Sequence, residues 1–381
     1  MRRIFFHVQH LLGIGHLRRA ASMARALAAD GFDVLLVSGG APTAGLALDG
    51  VRFQQLPPLR AADETLRELC RLDGSLLDDA FCAARIKMLL DLLRAEQPDI
   101  LVTEQFPFGR TRLRFELFPL VQAAIALRPR PLIVSSVRDI VRRASPQRVA
   151  EAVDIFQQYF DAVLIHGDPG LVDFARSFAG WGNIKTRAHY TGYVAEPDVA
   201  RSPRGSHGSG EVIVSAGGGA VGAPLLRAAI AARSKTPLAD RVWRLLIGAN
   251  LPQGEHAGLA AAPDGIVIET ARSDFTTLLH NATLSISQAG YNTVIETLCC
   301  ADRAVLVPFA SARETEQADR AELLAERGMV SVVPVETLSP DSLAEGVRRA
   351  LAGPSIRSFP PCDIDGGRKS AALLYRLLAD G

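Results

Sequence analysis

Short β-branched runs alternate with longer Ala-, Leu- and Arg-rich stretches along most of this chain. In the first half the runs fall at residues 4–8, 34–38, 51–56, 100–103, 132–135 and 163–166. In the second half they recur at 212–215, 242–247, 266–269, 284–287, 304–307 and 330–333. Each is nearly continuously apolar, so both faces of such a strand must be covered, which is the condition of a parallel sheet with helices on either side. The stretches between them, such as 16–29 and 66–96, repeat apolar residues at helical spacing.

Residues 196–210 interrupt the alternation with a segment rich in Pro, Gly and Ser that has almost nothing to bury. Such a segment reads as a linker. The expected fold class is therefore α/β, with two doubly wound Rossmann-like domains facing a cleft. Residues 1–195 form the first and 211–381 the second, with the last helix returning to the first domain. Ligands of such sheets bind beyond the carboxyl ends of the strands.

Charge and cysteine content narrow the setting. The 381 residues carry 42 basic and 41 acidic side chains, so no overall field selects nucleic acid or a membrane. Cys70, Cys82, Cys299, Cys300 and Cys362 form no CxxC pair, as expected of a reduced, cytoplasmic chain without structural zinc. The N-terminal apolar stretch is broken by His7, Gln9 and His10 and lacks a small-residue cleavage site, so export is not expected. No segment approaches ~18 uninterrupted apolar residues, the length of a spanning helix. Peripheral contact with the inner face of a membrane is compatible with all of this.

Four strand-end motifs carry chemistry. After the first strand, Gly13 and Gly15 allow a tight turn and bring ligands close to a helix N-terminus, with His16 in the first helical turn. Arg18 and its surroundings replace the third glycine of a dinucleotide fingerprint. The plainer alternative is a tight turn that His16 caps. In the second half, Ser215 precedes Gly217, Gly218 and Gly219, an unobstructed run of N–H groups suited to phosphate oxygens. It lacks the Lys-Ser/Thr pair of a P-loop. Residues 286–296 repeat strand, glycine turn and helix: Gly290 permits close approach, and Asn292 and Thr293 add polar groups at the helix start. Glu296, one turn on, can accept both hydrogen bonds of a ribose diol, or can simply complement the helix dipole. In the fourth motif, 307–321, Glu314, Glu316 and Gln317 enter a helix after a strand ending at Pro308. Glu316 and Gln317 are suited to sugar hydroxyls.

Taken together and in this order, these motifs resemble a GT-B glycosyltransferase of the family 28 kind, in a bacterial branch set apart by residues 102–110 and 114–117. The resemblance implies a second domain that binds a nucleoside-diphosphate sugar as co-substrate, with no cofactor, and a uridine base is the first choice. It places the backbone near Arg272, in the loop after 266–269, by the base and Glu296 on the ribose. The diphosphate falls to Gly217–Gly219 and to the turn of Gln288, Ala289, Gly290, Tyr291, Asn292 and Thr293, and the sugar to Glu316 and Gln317. The first loop has one glycine fewer before the histidine than the peptidoglycan enzyme of the family, and the loop before Glu316 also differs, which leaves the sugar open.

Family 28 enzymes invert the anomeric centre without a bound metal, so a base must take the acceptor proton. His16 matches the family's histidine. Glu104 and Asp139, each after a first-domain strand, are alternatives or orienting groups, unless they only pair with Arg110 and with Arg138 or Arg142. The Asp363–Asp365 pair mimics a metal-binding DxD but sits in a Pro/Gly tail and is taken as coincidence. Nine arginines between Arg110 and Arg148, interleaved with Phe106, Phe108, Phe115 and Phe118, point to an anionic or lipid-linked acceptor, with Arg110 and Arg114 on the acceptor side. A solvated basic face is the plainer alternative. A nucleotide-sugar hydrolase or 2-epimerase, and a non-catalytic nucleotide-sugar-binding subunit, remain the rival functions on the same fold.

Overall fold

The computed structural model describes residues 1–63, 68–196, 198–199, 205–217, 222–248, 251, 254–255, 263–309 and 315–380. Two compact units divide the chain: Met1–Val194 with Asp363–Gly381, and Ala195–Cys362. Residues 363–381 thus move from the second domain, as drawn from sequence, to the first unit.

The first unit runs β1 (Arg3–Val8), α1 (Gly15–Ala29), β2 (Asp33–Ser38), β3 (Val51–Gln55), β4 (Leu59–Ala61), β5 (Leu69–Arg71), α2 (Asp79–Glu96), β6 (Ile100–Glu104) and α3 (Arg114–Ala126). It continues with β7 (Leu132–Arg138), α4 (Pro146–Tyr159), β8 (Ala162–His166), α5 (Trp181–Ile184) and β9 (Ala188–Tyr190). Seven strands form one sheet in the order β3-β2-β1-β6-β7-β8-β9, and β1 pairs in parallel with both β2 and β6. Period-two alternation splits β1 between two cores: Ile4, Phe6 and Val8 pack with the apolar stripe of α1, while Phe5 faces the opposite cluster with Leu89 and Leu117.

The stretch 66–96 is not one helix. β5 pairs antiparallel with β4, and Asp73 and Gly74, the latter at φ 89°, turn the chain before Asp78 caps α2 through the Phe81 N–H at 2.7 Å. Apolar spacing alone could not register that turn chemistry, which overrides it. The interleaved aromatics are also not a membrane or sugar face. Phe106 and Phe108 are buried in the core, Phe108 against Phe156 and Phe178, and Phe115 and Phe118 pack on its edge.

The second unit comprises β10 (Val212–Ser215), α6 (Ala223–Ala232), β11 (Trp243–Ile247), β12 (Ile266–Thr270), α7 (Phe275–Asn281), β13 (Leu284–Ser287), α8 (Tyr291–Cys300) and β14 (Ala304–Leu306). Then follow α9 (Glu316–Glu326), β15 (Ser331–Val332) and α10 (Pro340–Ala352). Its six strands are ordered β12-β11-β10-β13-β14-β15, with β10 parallel to β11 and β13. The described part of the expected linker, 205–210, packs on this unit. Asn281 donates to the carbonyls of Gly205 and His207, and a side chain at Gly208 would strike the Leu278 backbone.

The last helix, α11 (Gly366–Asp380), lies against α1 in the first unit, where Tyr375 stacks on Phe32 with ring centroids 4.2 Å apart. The chain re-enters there beside its own exit, for Tyr193 donates its N–H to the Asp363 carbonyl at 2.7 Å.

Candidate functional site

In each sheet the strand order reverses once, between β1 and β6 in the first unit and between β10 and β13 in the second. At such a reversal the flanking loops splay apart and open a crevice at the carboxyl ends. The sequence motifs fall on these two points.

At the first, β1 delivers the Gly13–Gly15 turn and α1 begins at Gly15 with no side-chain cap and no acidic residue in its first turn. A side chain at Gly13 would meet nothing within 4 Å, so the turn is open on that side. From this turn His16 reaches the end of β6, its Nδ1 standing 2.5 Å from Glu104 Oε1. Arg19, one turn along α1, donates Nη2 to the same oxygen at 2.5 Å, and Arg110 Nη2 lies 3.7 Å from Glu104 Oε2. Glu104 is wholly buried, whereas the His16 side chain keeps 17% of its exposure.

Electrostatics sort the two groups. Burial would raise the Glu104 carboxyl, but His16, Arg19 and Arg110 outweigh it and hold it well below the carboxylate range. Burial pushes His16 well below its ordinary value, with Arg138 and Arg110 adding to this against the pull of Glu104. A neutral imidazole beside a carboxylate must donate its Nδ1–H, which leaves Nε2 as a lone pair. Among the described residues Nε2 has no hydrogen-bond partner. A nitrogen in that state can accept a proton.

Asp139 is buried at the end of β7, where its carboxylate accepts the Ile140 N–H at 2.9 Å and Gly167 packs against its Cβ. Among the described residues His16 bonds Glu104. Arg114 pairs with Glu151 and covers the Phe118 ring at 5.2 Å, its side chain 45% exposed. Arg110 therefore belongs with the His16 cluster and Arg114 to the outer surface. Asp363 and Asp365 are engaged by Lys369 and Arg368. Among the described residues no group of three His, Cys, Asp or Glu side chains gathers to hold a metal.

At the second reversal the β10 and β13 loops interlock. Ser215 accepts the Gly217 N–H on its hydroxyl at 3.3 Å and the Gln288 N–H on its carbonyl at 3.2 Å. Gly217, at φ 68°, adopts a backbone that favours glycine, and a side chain there would point toward Gln288 and Thr293 at about van der Waals range. Gly218 and Gly219 lie outside the described residues, as do 310–314 with Glu314. Gly290 opens α8 in extended backbone, again with no side-chain cap and no first-turn acid, and a Cβ there would meet nothing within 4 Å. Asn292 and Thr293 follow half-buried, and Glu296 lies half-buried further along the same helix. The turn is thus open at Gly290, and a helix N-terminus without a side-chain cap is the arrangement that receives anions.

Gln317 does something the sequence does not reveal. Its Oε1 accepts the backbone N–H of Ala289 at 3.0 Å and of Phe309 at 3.1 Å, tying the β13 and β14 loops together. Arg320, buried on the same helix, donates to the Ala289 carbonyl at 3.0 Å and lies 5.8 Å from the Tyr291 ring centre. Glu316, half-buried, opens α9. Arg272 is occupied by Asp274 at 2.7 Å through two nitrogens and approaches Glu269 and His207, so its guanidinium is spent within the unit. Arg19 and Arg320 were not singled out from sequence. The signal was available in each, since an arginine in the buried stripe of a helix requires a buried acceptor.

Two doubly wound parallel sheets in one chain, each with its glycine loops at the reversal point, define the GT-B class of glycosyltransferase fold. Solved GT-B structures match along the whole chain. The kitacinnamycin glycotransferase aligns with a TM-score of 0.64 at 15% identity, covering 99% of both chains. MurG of Acinetobacter baumannii aligns at 0.60 and 15%, covering 99% of this chain and 100% of that one. Residues 214–357 match the glycosyltransferase family 28 C-terminal domain, so this part of the chain is similar to that family. Among curated relatives, the UDP-N-acetylglucosamine--N-acetylmuramyl-(pentapeptide) pyrophosphoryl-undecaprenol N-acetylglucosamine transferase of Thiobacillus denitrificans is 28% identical over 57% of each chain. The enzyme of the same description from Brucella anthropi is 34% identical over 43% of this chain and 44% of its own. The chain spans about half the length of the curated relatives it matches. No helix among the described residues is long and apolar enough to cross a membrane.

Proposed function

We propose that the protein is an inverting, metal-independent glycosyltransferase that moves a sugar from a nucleoside-diphosphate sugar, uridine-based, to the hydroxyl of an anionic or lipid-linked acceptor. The observation that carries this reading is the bare Nε2 of His16, backed by the buried Glu104 carboxylate 2.5 Å behind its Nδ1. Nε2 takes the acceptor proton as the acceptor oxygen bonds to the anomeric carbon. The bond from that carbon to the diphosphate breaks, and the departing negative charge is received by the uncapped N–H groups of α8. No cofactor is drawn on, the nucleotide sugar being a co-substrate. Glu296 holds the ribose, and Glu316 with the amide nitrogen of Gln317 holds the sugar. The setting is cytoplasmic, with peripheral contact at the inner face of the membrane.

The test is a thermal-shift screen of the purified protein against UDP-, GDP- and dTDP-sugars and UDP alone. A ligand that binds only the folded state stabilises it by ~2.7 kcal/mol at a hundredfold excess over its Kd. A selective upward shift with UDP-sugars is expected, and no shift with any of them removes the donor site. Rapid UDP release in the absence of any acceptor would turn the assignment to a hydrolase.

A further inference from the structure

The two oxygens of the Glu104 carboxylate are loaded unequally. Oε1 accepts from both His16 Nδ1 and Arg19 Nη2, each at 2.5 Å. Oε2, also buried, accepts no hydrogen bond among the described residues and faces Arg110 Nη2 at 3.7 Å. His16 and Arg19 stand three residues apart on α1, so one helix face carries both to the end of β6. The Arg19 side chain is 1% exposed and that of Glu104 0%. A buried carboxylate with an uncharged imidazole as its main partner would be costly to keep ionised, and a protonated one would be a weaker acceptor that could offer His16 an O–H donor instead.

From this juxtaposition we propose that Arg19 is a positioning residue for the base: its guanidinium keeps Glu104 an acceptor, so His16 meets it only through Nδ1–H and turns a bare Nε2 outward. The inference rests on the reading of His16 as the base. Other groups face the same pair. Arg110 and Arg138 bring positive charge from the loop after β6 and the end of β7. His7, His10 and His166, from β1, its loop and β8, are all pushed below their ordinary value by burial. Arg19 differs from all of these in bonding the oxygen that His16 uses.

The experiment is ring-nitrogen NMR on the full chain, with His16 assigned through His16→Gln. In the unmodified protein the His16 shifts are expected to report Nδ1–H with Nε2 unprotonated at neutral pH, a measurement that needs no Arg19 variant to fold. Arg19→Gln keeps a donor and removes the charge. It is expected to raise the His16 midpoint by about one pH unit and to move the acid limb of kcat by the same amount, with the donor KM unchanged. Arg19→Lys restores the charge and is expected to return the midpoint toward that of the unmodified protein. An Nε2–H form in the unmodified protein, or an unmoved midpoint in folded Arg19→Gln, overturns the proposal. The ring nitrogens titrate whether or not any sugar is transferred, so failure of the enzymatic reading is told apart from failure of this one.

Discussion

Gln317 Oε1 and the Ala289 N–H are 3.0 Å apart across 28 residues of sequence, and the Phe309 N–H joins them on the same oxygen at 3.1 Å. Two backbone donors on one atom decide which end of the amide is the carbonyl. Nε2 is then the donor, with no partner among the described residues. Gln317→Glu keeps the acceptor and deletes the donor. We expect an unchanged melting temperature with a donor KM raised up to roughly tenfold, the worth of about 1.5 kcal/mol. Gln317→Leu, which strands both N–H groups, should lower the melting temperature as well. Thermal melting and donor titration on the two variants separate brace from ligand contact.

His16→Ala should cut transfer by about 10²–10⁴-fold, the usual contribution of a positioned base. UDP affinity should not move, because the loops proposed to hold the nucleotide belong to the other unit. Initial rates and calorimetry on one preparation check both halves; a fully active variant would sink the assignment.

Glu296→Ala should weaken UDP binding by about 1.5–3 kcal/mol, the range for a hydrogen bond to a charged group. Its position half-buried on α8 predicts little change in melting temperature. Equal calorimetric affinities for the two proteins would take the ribose away from Glu296.

His7 gives stability a pH dependence of its own. Burial lowers it from 6.5 to about 4, for Glu116, 3.8 Å away, is engaged by Arg85. The unfolded chain therefore binds a proton that the folded one refuses. Stability from this group is whole above pH 6.5 and falls as the pH drops toward 4, by about 3 kcal/mol in all. Neither ring nitrogen of His7 makes a hydrogen bond among the described residues, so His7→Phe should fold and show a shallower loss. Urea unfolding of both proteins at pH 7 and pH 5 measures the difference; parallel losses would refute it.

The strands were legible because burial on both faces writes an uninterrupted apolar run, as in Val212–Ser215, and the glycine loops were legible because they follow those runs directly. What joins Glu104 to His16 was not, since they are 88 residues apart and meet only because β6 lies beside β1. Sheet order is a long-range property that local spacing does not encode. Residues 66–96 misled for the converse reason: Leu69 and its neighbours keep helical spacing, yet a turn at Gly74 and a cap at Asp78 decide the backbone. Phe106 and Phe108 misled because proximity in sequence to arginines says nothing of which side of the sheet a ring enters.

The pairing of Tyr193 with Asp363, and of Val194 with Asp365, makes the second unit an insertion into the first. The severed ends of the host are already neighbours, one strand spacing apart. A few glycines could therefore close the first unit into a continuous polypeptide ending in α11, and residues 195–362 could be expressed as a cassette of their own. The chain is thus partitioned for exchange: the second unit could be swapped at a single locus while the host sheet keeps both its first strand and its last helix.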